Sequence, residues 1–161
     1  MAIYHCHCQV ISRGQGRSAV AAAAYRSGEK ITNSYDGVTH DYRKKKGIVY
    51  KEIMLCENAP EEWKSRAIFW NNIEQTECDT AARLAREFEI ALPIELSTEE
   101  QIDFVRAFVH ENFVNIGMCA DFAIHDKGDG NPHCHILLTM RPIDRNGKWE
   151  SKMEKSLSLQ K

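Results

Sequence analysis

The chain has 161 residues, 43% apolar and 27% charged, with a formal net charge of −2. That is long enough for one domain with its own core and ordinary for a soluble globular fold. No apolar run approaches ~20 residues, which excludes a helical membrane span, and the first residues lack the basic-then-apolar order of a secretory signal.

Residues 2–13 are rich in β-formers and predict a first strand. Within it Cys6 and Cys8 flank His7, but strand alternation puts His7 on the face opposite both thiols, so the three do not converge on an ion. None of the six cysteines forms a C-x-x-C pair, so all read as reduced thiols. After Gly14 and Gly16, Ser18 is a good N-cap for a helix over 19–26, stopped near Gly28. Its four consecutive alanines give a thin surface that lets the backbone pack close to a sheet. Residues 29–51 are polar and predict a loop or small hairpin ending in the basic run 43–46, with a short strand over 50–55. Residues 57–60 open a long helix, with Pro60 in its first turn and Trp63, Ala67, Phe69, Trp70 and Ile73 on its buried side. The pattern runs to about Arg86, with a break near 78–80.

Residues 86–93 alternate as a strand, placing Glu87 and Glu89 on one face and Phe88 and Ile90 on the other. Ser97 and Glu100 form a capping box for a helix over 98–113 that buries Ile102, Val105, Phe108 and Val109. Strands over 118–125 and 133–141 follow, joined by a turn-rich loop. Residues 1–142 therefore read as one domain, and 143–161, anchored only by Trp149, as an extension or the start of a linker to something longer. The final two strands are a hairpin, hence antiparallel. The fold class is α+β: an antiparallel sheet of about five strands with helices mainly on one face.

Charge is unevenly spread. Residues 1–51 carry nine Lys/Arg against three Asp/Glu, residues 52–111 five against fourteen, and residues 112–161 seven against six. A near-neutral protein can thus present a local anion-binding face, with Arg13, Arg17, Arg26, Lys44, Lys45 and Lys46 as candidates. On charge alone the same residues read equally well as a solvated surface.

The strongest chemical signal is His125, His133 and His135. The last two share a strand face by the two-residue period, with Cys134 pointing away. A hairpin closed by residues 126–132 returns His125 beside them, so that three neutral imidazoles converge with coordination positions left open. Imidazole softness favours Mn²⁺, Zn²⁺, Co²⁺ or Ni²⁺ over Mg²⁺, but the spacing does not choose between a hydrolase, an oxygenase and a structural ion. If the strands share a sheet, Glu87 and Glu89 stand behind the imidazoles and fix their tautomers. Tyr25 lies beside Arg26 in the basic third. A phenol is a poor nucleophile unless cations surround it and a metal polarises its target, a requirement that a phosphodiester beside a three-histidine metal meets.

Taken together and in order, Met1-Ala-Ile-Tyr-His5, Ser18-Ala-Val-Ala-Ala-Ala-Ala-Tyr-Arg-Ser-Gly-Glu29, Glu87-Phe-Glu-Ile-Ala-Leu-Pro93 and Ile124-His-Asp…Gly-Asn-Pro-His-Cys-His-Ile136 resemble the MobA/MobL family of plasmid mobilisation relaxases. These belong to the wider HUH endonucleases, named for a His-hydrophobic-His pair. The resemblance implies a cytoplasmic bacterial enzyme that nicks one DNA strand at an origin of transfer. It implies Tyr25 as the nucleophile that becomes joined to the 5′ phosphate, leaving a free 3′ hydroxyl. It implies His125, His133 and His135 as ligands to a divalent metal, with Mn²⁺ or Mg²⁺ for activity, and it matches Glu87 and Glu89 to acidic positions near the site. The implied partners are single-stranded or locally melted origin DNA, accessory relaxosome proteins and a coupling protein, for a monomer with no membrane insertion. Cys134 is less apolar than the family's usual middle residue. The tyrosine precedes the histidine pair, the reverse of HUH replication initiators. Three rivals stay open: a three-histidine metallohydrolase using metal-bound hydroxide, such an initiator, and a non-catalytic DNA-binding module with a closed metal site. The last needs a fourth ligand, and Asp126, the one acid adjacent to the triad, alternates away from it.

Overall fold

The computed structural model describes residues 5–152; the expectations for residues 2–4 and 153–161 lie outside the described residues. The elements are β1 (Cys6–Ser12), α1 (Ala19–Ser27), β2 (Lys30–Thr32), β3 (Thr39–Asp41), β4 (Ile48–Met54), a 3-10 turn (Glu61–Lys64), α2 (Arg66–Thr76), β5 (Arg83–Ala91), α3 (Thr98–Asn112), β6 (Ala120–His125) and β7 (His133–Thr139). Five strands form one antiparallel sheet in the order β1-β5-β7-β6-β4, and β2 and β3 form a separate small hairpin.

The sheet is buried on both faces. On one, Ile11, Ala85 and Leu137 meet Ala23 and Ala24 of α1 and Phe69, Trp70 and Ile73 of α2. On the other, Phe122, Ile124, Cys134, Ile136 and Leu138 meet Val105 and Val109 of α3. Two of the three α-helices therefore share a face, and α3 covers the reverse side behind its capping box. Cys134 is fully buried in that second core, away from His133 and His135, as alternation requires.

The long helix expected over 57–86 is a correction. Pro60 leads only into the 3-10 turn, and Ser65 restarts the chain as the N-cap of α2, its Oγ accepting from Ile68 N. The helix stops at Thr76, and β5 begins at Arg83 rather than Arg86. Leu84 and Ala85 look helical in sequence. They are strand residues because β5 is flanked on both sides, Ala85 pairing with Ile11 of β1 and with Thr139 of β7. Sheet hydrogen bonding and burial at 0% exposure override the local pattern. Farther on, Trp149 folds back, stacking on Trp63 at 4.7 Å and donating to Asn72 Oδ1 at 2.8 Å.

α1 is fixed at both ends. At its start Ser18 Oγ accepts from Ala21 N. Glu74 Oε1 of α2 then accepts from Ser18 Oγ, Ala19 N and Val20 N, at 2.8, 2.8 and 3.4 Å. A carboxylate at a helix N-terminus answers both the orphan N–H groups and the helix dipole. Arg13 neutralises Glu74 from the other side, Nη2 to Oε2 at 2.9 Å. At its end the last-turn carbonyls are answered in succession: Tyr25 O by Lys45 Nζ, Arg26 O by His125 Nε2 and Ser27 O by Lys51 Nζ, at 2.9, 2.8 and 3.0 Å. Gly28 then turns the chain at φ 67°, where a Cβ would meet Ile48 Cδ1 at 2.5 Å.

Candidate active site

The site is built on the β6–β7 hairpin. His125 pairs directly with His133, and Ala123 with His135, so all three imidazoles rise from the α1 side of the sheet. Two Asx turns shape the closing loop, with Gly128 N donating to Asp126 Oδ1 and Asn131 N to Asp129 Oδ1. One nitrogen from each ring lies within 4.8 Å of the others. His125 and His135 are buried and His133 is half-buried, which leaves one open flank.

Two of the three outer nitrogens are hydrogen-bonded. A carbonyl can only accept, so His125 Nε2 donates to Arg26 O and its Nδ1 keeps the lone pair. His133 Nδ1 is bound to Asn131 O at 2.9 Å, leaving Nε2 free. His135 Nδ1 faces Glu87 Oε1 at 3.4 Å, and this Nδ1 and Glu87 Oε2 are buried without a hydrogen-bond partner. Burial pushes His125 down to about 4, with Lys45 and the other two imidazoles acting the same way against its Arg26 contact. Burial also lowers His135, against the pull of Glu87. Burial alone would raise the Glu87 carboxyl, but His135 and Arg26 hold it below its usual range. Three convergent nitrogen donors backed by a carboxylate fit a divalent cation.

These shifts fix the pH dependence of the metal-free protein. The unfolded chain protonates His125 near 6.5, whereas the folded chain resists until about 4, so protons bind preferentially to the unfolded state between those values. Stability should therefore fall as pH drops through that window. Urea midpoints at a series of pH values check this, and His125→Asn should flatten the dependence.

Tyr25 is 42% exposed and sits one residue before the carbonyl that holds His125. Lys45 Nζ lies 3.5 Å from its ring centroid, and Tyr42 meets the ring edge-on at 5.0 Å. Burial first, then Arg26 and Lys127, bring Lys45 down to about 8 against the opposing pull of Glu87. A cleft of about 770 Å³ runs along this edge, lined by Tyr25, Tyr42, Lys44, Lys45, Lys46 and Lys127 among others.

The six basic candidates separate. Lys44 and Lys46 are exposed on the cleft. Arg17 lines a second cleft and donates to Gln9 Oε1 at 3.1 Å. Arg26 is committed to Glu87 Oε1 at 2.7 Å and stands behind the triad. Arg13 is not brought to the site: its guanidinium binds Glu74 and the carbonyls of Glu77 and Asp79, and it lies 3.7 Å from the Tyr35 ring centroid. Glu89 pairs in register with His135 and, on its other side, with His7, and it lines a cleft with His133. Sequence reasoning missed Tyr42, Lys51, Glu74 and Lys127. Each meets its partner across a long stretch of chain, and only Lys127, inside the histidine loop, had a local signal.

A five-stranded antiparallel sheet that carries a His-x-His strand beside an N-terminal tyrosine helix is the arrangement of HUH relaxases. The chain belongs to the MobA/MobL family of these proteins, whose family model matches residues 17–160. It is 40% identical to the conjugal transfer protein TraA of Agrobacterium fabrum, over 91% of this chain and 14% of that protein. It is 34% identical to the mobilization protein MobL of Acidithiobacillus ferridurans, over 91% of this chain and 45% of that one. A solved structure described as "Molecular Basis of Vancomycin Resistance Transfer in Staphylococcus aureus" matches with a TM-score of 0.88 at 33% identity, over 96% of this chain and 79% of its own. The chain thus spans less than half the length of these two conjugation and mobilisation proteins. Among the described residues no helix is long and apolar enough to cross a membrane.

Proposed function

We propose that this chain nicks one strand of an origin of transfer by tyrosine transesterification, with Tyr25 as nucleophile and His125, His133 and His135 as holders of a divalent metal. The observation that carries the reading is the joint between the two halves: His125 of the triad hydrogen-bonds the carbonyl of the residue after Tyr25. The metal, when bound, polarises the scissile phosphate and offsets the charge that builds on its oxygens. Tyr25 Oη attacks phosphorus, the bond to the 3′ oxygen breaks, and the phenolic proton is released as the 3′ oxygen takes one up. The product is a 5′-phosphotyrosyl strand and a free 3′ hydroxyl, so the bond energy is kept for rejoining. Lys45 and Tyr42 hold the ring, Arg26 and Glu87 orient His135, and Lys44, Lys46 and Lys127 face the approaching phosphates. The substrate is single-stranded or locally melted DNA, because a duplex cannot lay one phosphodiester between Tyr25 and the triad. Mn²⁺ or Mg²⁺ serves activity in a bacterial cytoplasm, alongside relaxosome proteins and a coupling protein.

The test is an origin oligonucleotide with Mn²⁺, resolved on a denaturing gel. The wild type should give a covalent protein–DNA adduct, and Tyr25→Phe should give none while still binding DNA. Cleavage without any adduct would replace this reading with a metal-hydroxide hydrolase.

A further inference from the structure

We propose that Cys56 and Cys119 form a reversible oxidation site, two thiols that close to a disulfide when a small peroxide reaches them. Cys119 immediately precedes β6, and Cys56 lies two residues beyond β4. Met54 and Ala120 make the last rung between those strands, so the two thiols extend the ladder at the end remote from His125. Both belong to the core under α1 and α2, with Cys56 7% exposed and Cys119 0%. Their sulfurs are 3.0 Å apart, and Cys56 N also donates to Cys119 Sγ at 3.3 Å. The backbones are pinned as well: Cys119 O accepts from Thr139 N of β7, and Cys56 O from Ala59 N, both at 3.2 Å. The two sulfurs are thus held face to face by bonds on either side.

Buried cysteines often serve only as small apolar fillers. The distance here is too short for that role and for sharing an ion. Apolar carbon atoms pack at about 3.5–4.0 Å. Two thiolates about 2.3 Å from one tetrahedral ion stand about 3.8 Å apart. A disulfide, at about 2.0 Å between sulfurs, asks for only about 1 Å more closure. The hydrogen bond from Cys56 Sγ holds Cys119 below the usual thiol range despite burial, and the same contact, with burial, raises Cys56. Cys119 is therefore the sulfur that attacks. Its thiolate takes one oxygen from hydrogen peroxide to give a sulfenic acid, and the displaced oxygen leaves as water with the thiol proton. Cys56 sulfur then attacks Cys119 sulfur, the S–S bond forms, and the sulfenic oxygen leaves as a second water with the Cys56 proton. Each sulfur gives one electron, and the peroxide is reduced. Cys56, beside the turn at 57–58, keeps the path to solvent for a molecule scarcely larger than water. In a reducing compartment the pair rests as two thiols, and the bond is a response to oxidant.

The closed loop contains α2, β5 and α3, and a cross-link over so long a loop stabilises mainly by restricting the unfolded chain. The test treats the wild-type chain with hydrogen peroxide, chelator present so that no ion at the triad directs the oxidation. The denatured protein is alkylated, cut with trypsin and read by mass spectrometry. The expected product joins peptide 52–64 to peptide 107–127, which carry Cys56 and Cys119 as their only cysteines. Dithiothreitol should reverse it. The oxidised chain should show a urea midpoint higher by about 1 M, and Cys56→Ala should show no such rise. Cys56 and Cys119 both recovered alkylated, either one found as sulfinic acid, or either one joined instead to Cys6, Cys8 or Cys78 would overturn the proposal. So would an unchanged midpoint in the cross-linked chain, or a rise that persists in Cys56→Ala.

Discussion

Replacing Asp121 with alanine is expected to destabilise the fold by about 3–5 kcal/mol, read as a lower urea midpoint at unchanged slope. Asp121 is 5% exposed and sits on β6 beneath α2. Its two oxygens accept a bidentate pair from Arg66, at 2.7 and 2.8 Å, and a third bond from Trp70 Nε1 at 2.8 Å. Glu29, just beyond the end of α1, closes the cluster by binding both Arg66 and Lys51. Alanine removes the carboxylate and strands two buried donors, one of them a full charge, and this loss dominates any gain from a smaller polar group. Asp121→Asn keeps an acceptor for Trp70 but not the charge for Arg66, so its loss should fall between wild type and alanine. A fall of less than about 1 kcal/mol for the alanine variant would show that Glu29 alone satisfies Arg66.

The second large effect lies in the triad. His135→Ala should weaken Mn²⁺ binding by more than about a hundredfold, beyond the usual loss for a partner standing behind a ligand, and slow adduct formation by about 10²–10³. The fold should survive, because Glu87 keeps its ion pair with Arg26 when the imidazole is gone. Glu87→Gln, which leaves all three imidazoles in place, should cost only about 10–100-fold in affinity. Calorimetric titration with Mn²⁺ and single-turnover gels separate the two. Wild-type Mn²⁺ affinity in His135→Ala would remove the triad as the metal site.

The hairpin geometry was legible in the sequence because it is local. A two-residue period sets His133 and His135 on one face, and a loop dense in Asp, Gly, Asn and Pro forces the return that brings His125 alongside. The helix that carries Tyr25 was legible for a similar reason, marked by Ser18 and Gly28 at its ends. The stretch after Trp63 was misread because apolar residues of a helix and of a doubly buried strand leave the same trace; Leu84 and Ala85 are assigned by the neighbours of β5, which no window of sequence contains. The partners of Arg13 were hidden for a related reason. Its charge is visible, but its partner Glu74 lies 61 positions away and is itself committed to the start of α1. The strand order that sets Glu87 behind His135 is likewise a property of register across β5 and β7.

The fixing of α1 at both ends has a mechanical side. Under the proposed function, a DNA strand joined to Tyr25 would pass any pull into the protein through a nine-residue helix. A helix held only by packing would pivot under such a load and drag the nucleophile out of line. Here the tension divides. Part passes through Glu74 into α2, part through His125 and Lys51 into the paired edge of β6 and β4, and the remainder into the Lys45 loop. On that reading the attachment point stays in register with the triad, and the sheet, rather than the helix, bears the traction.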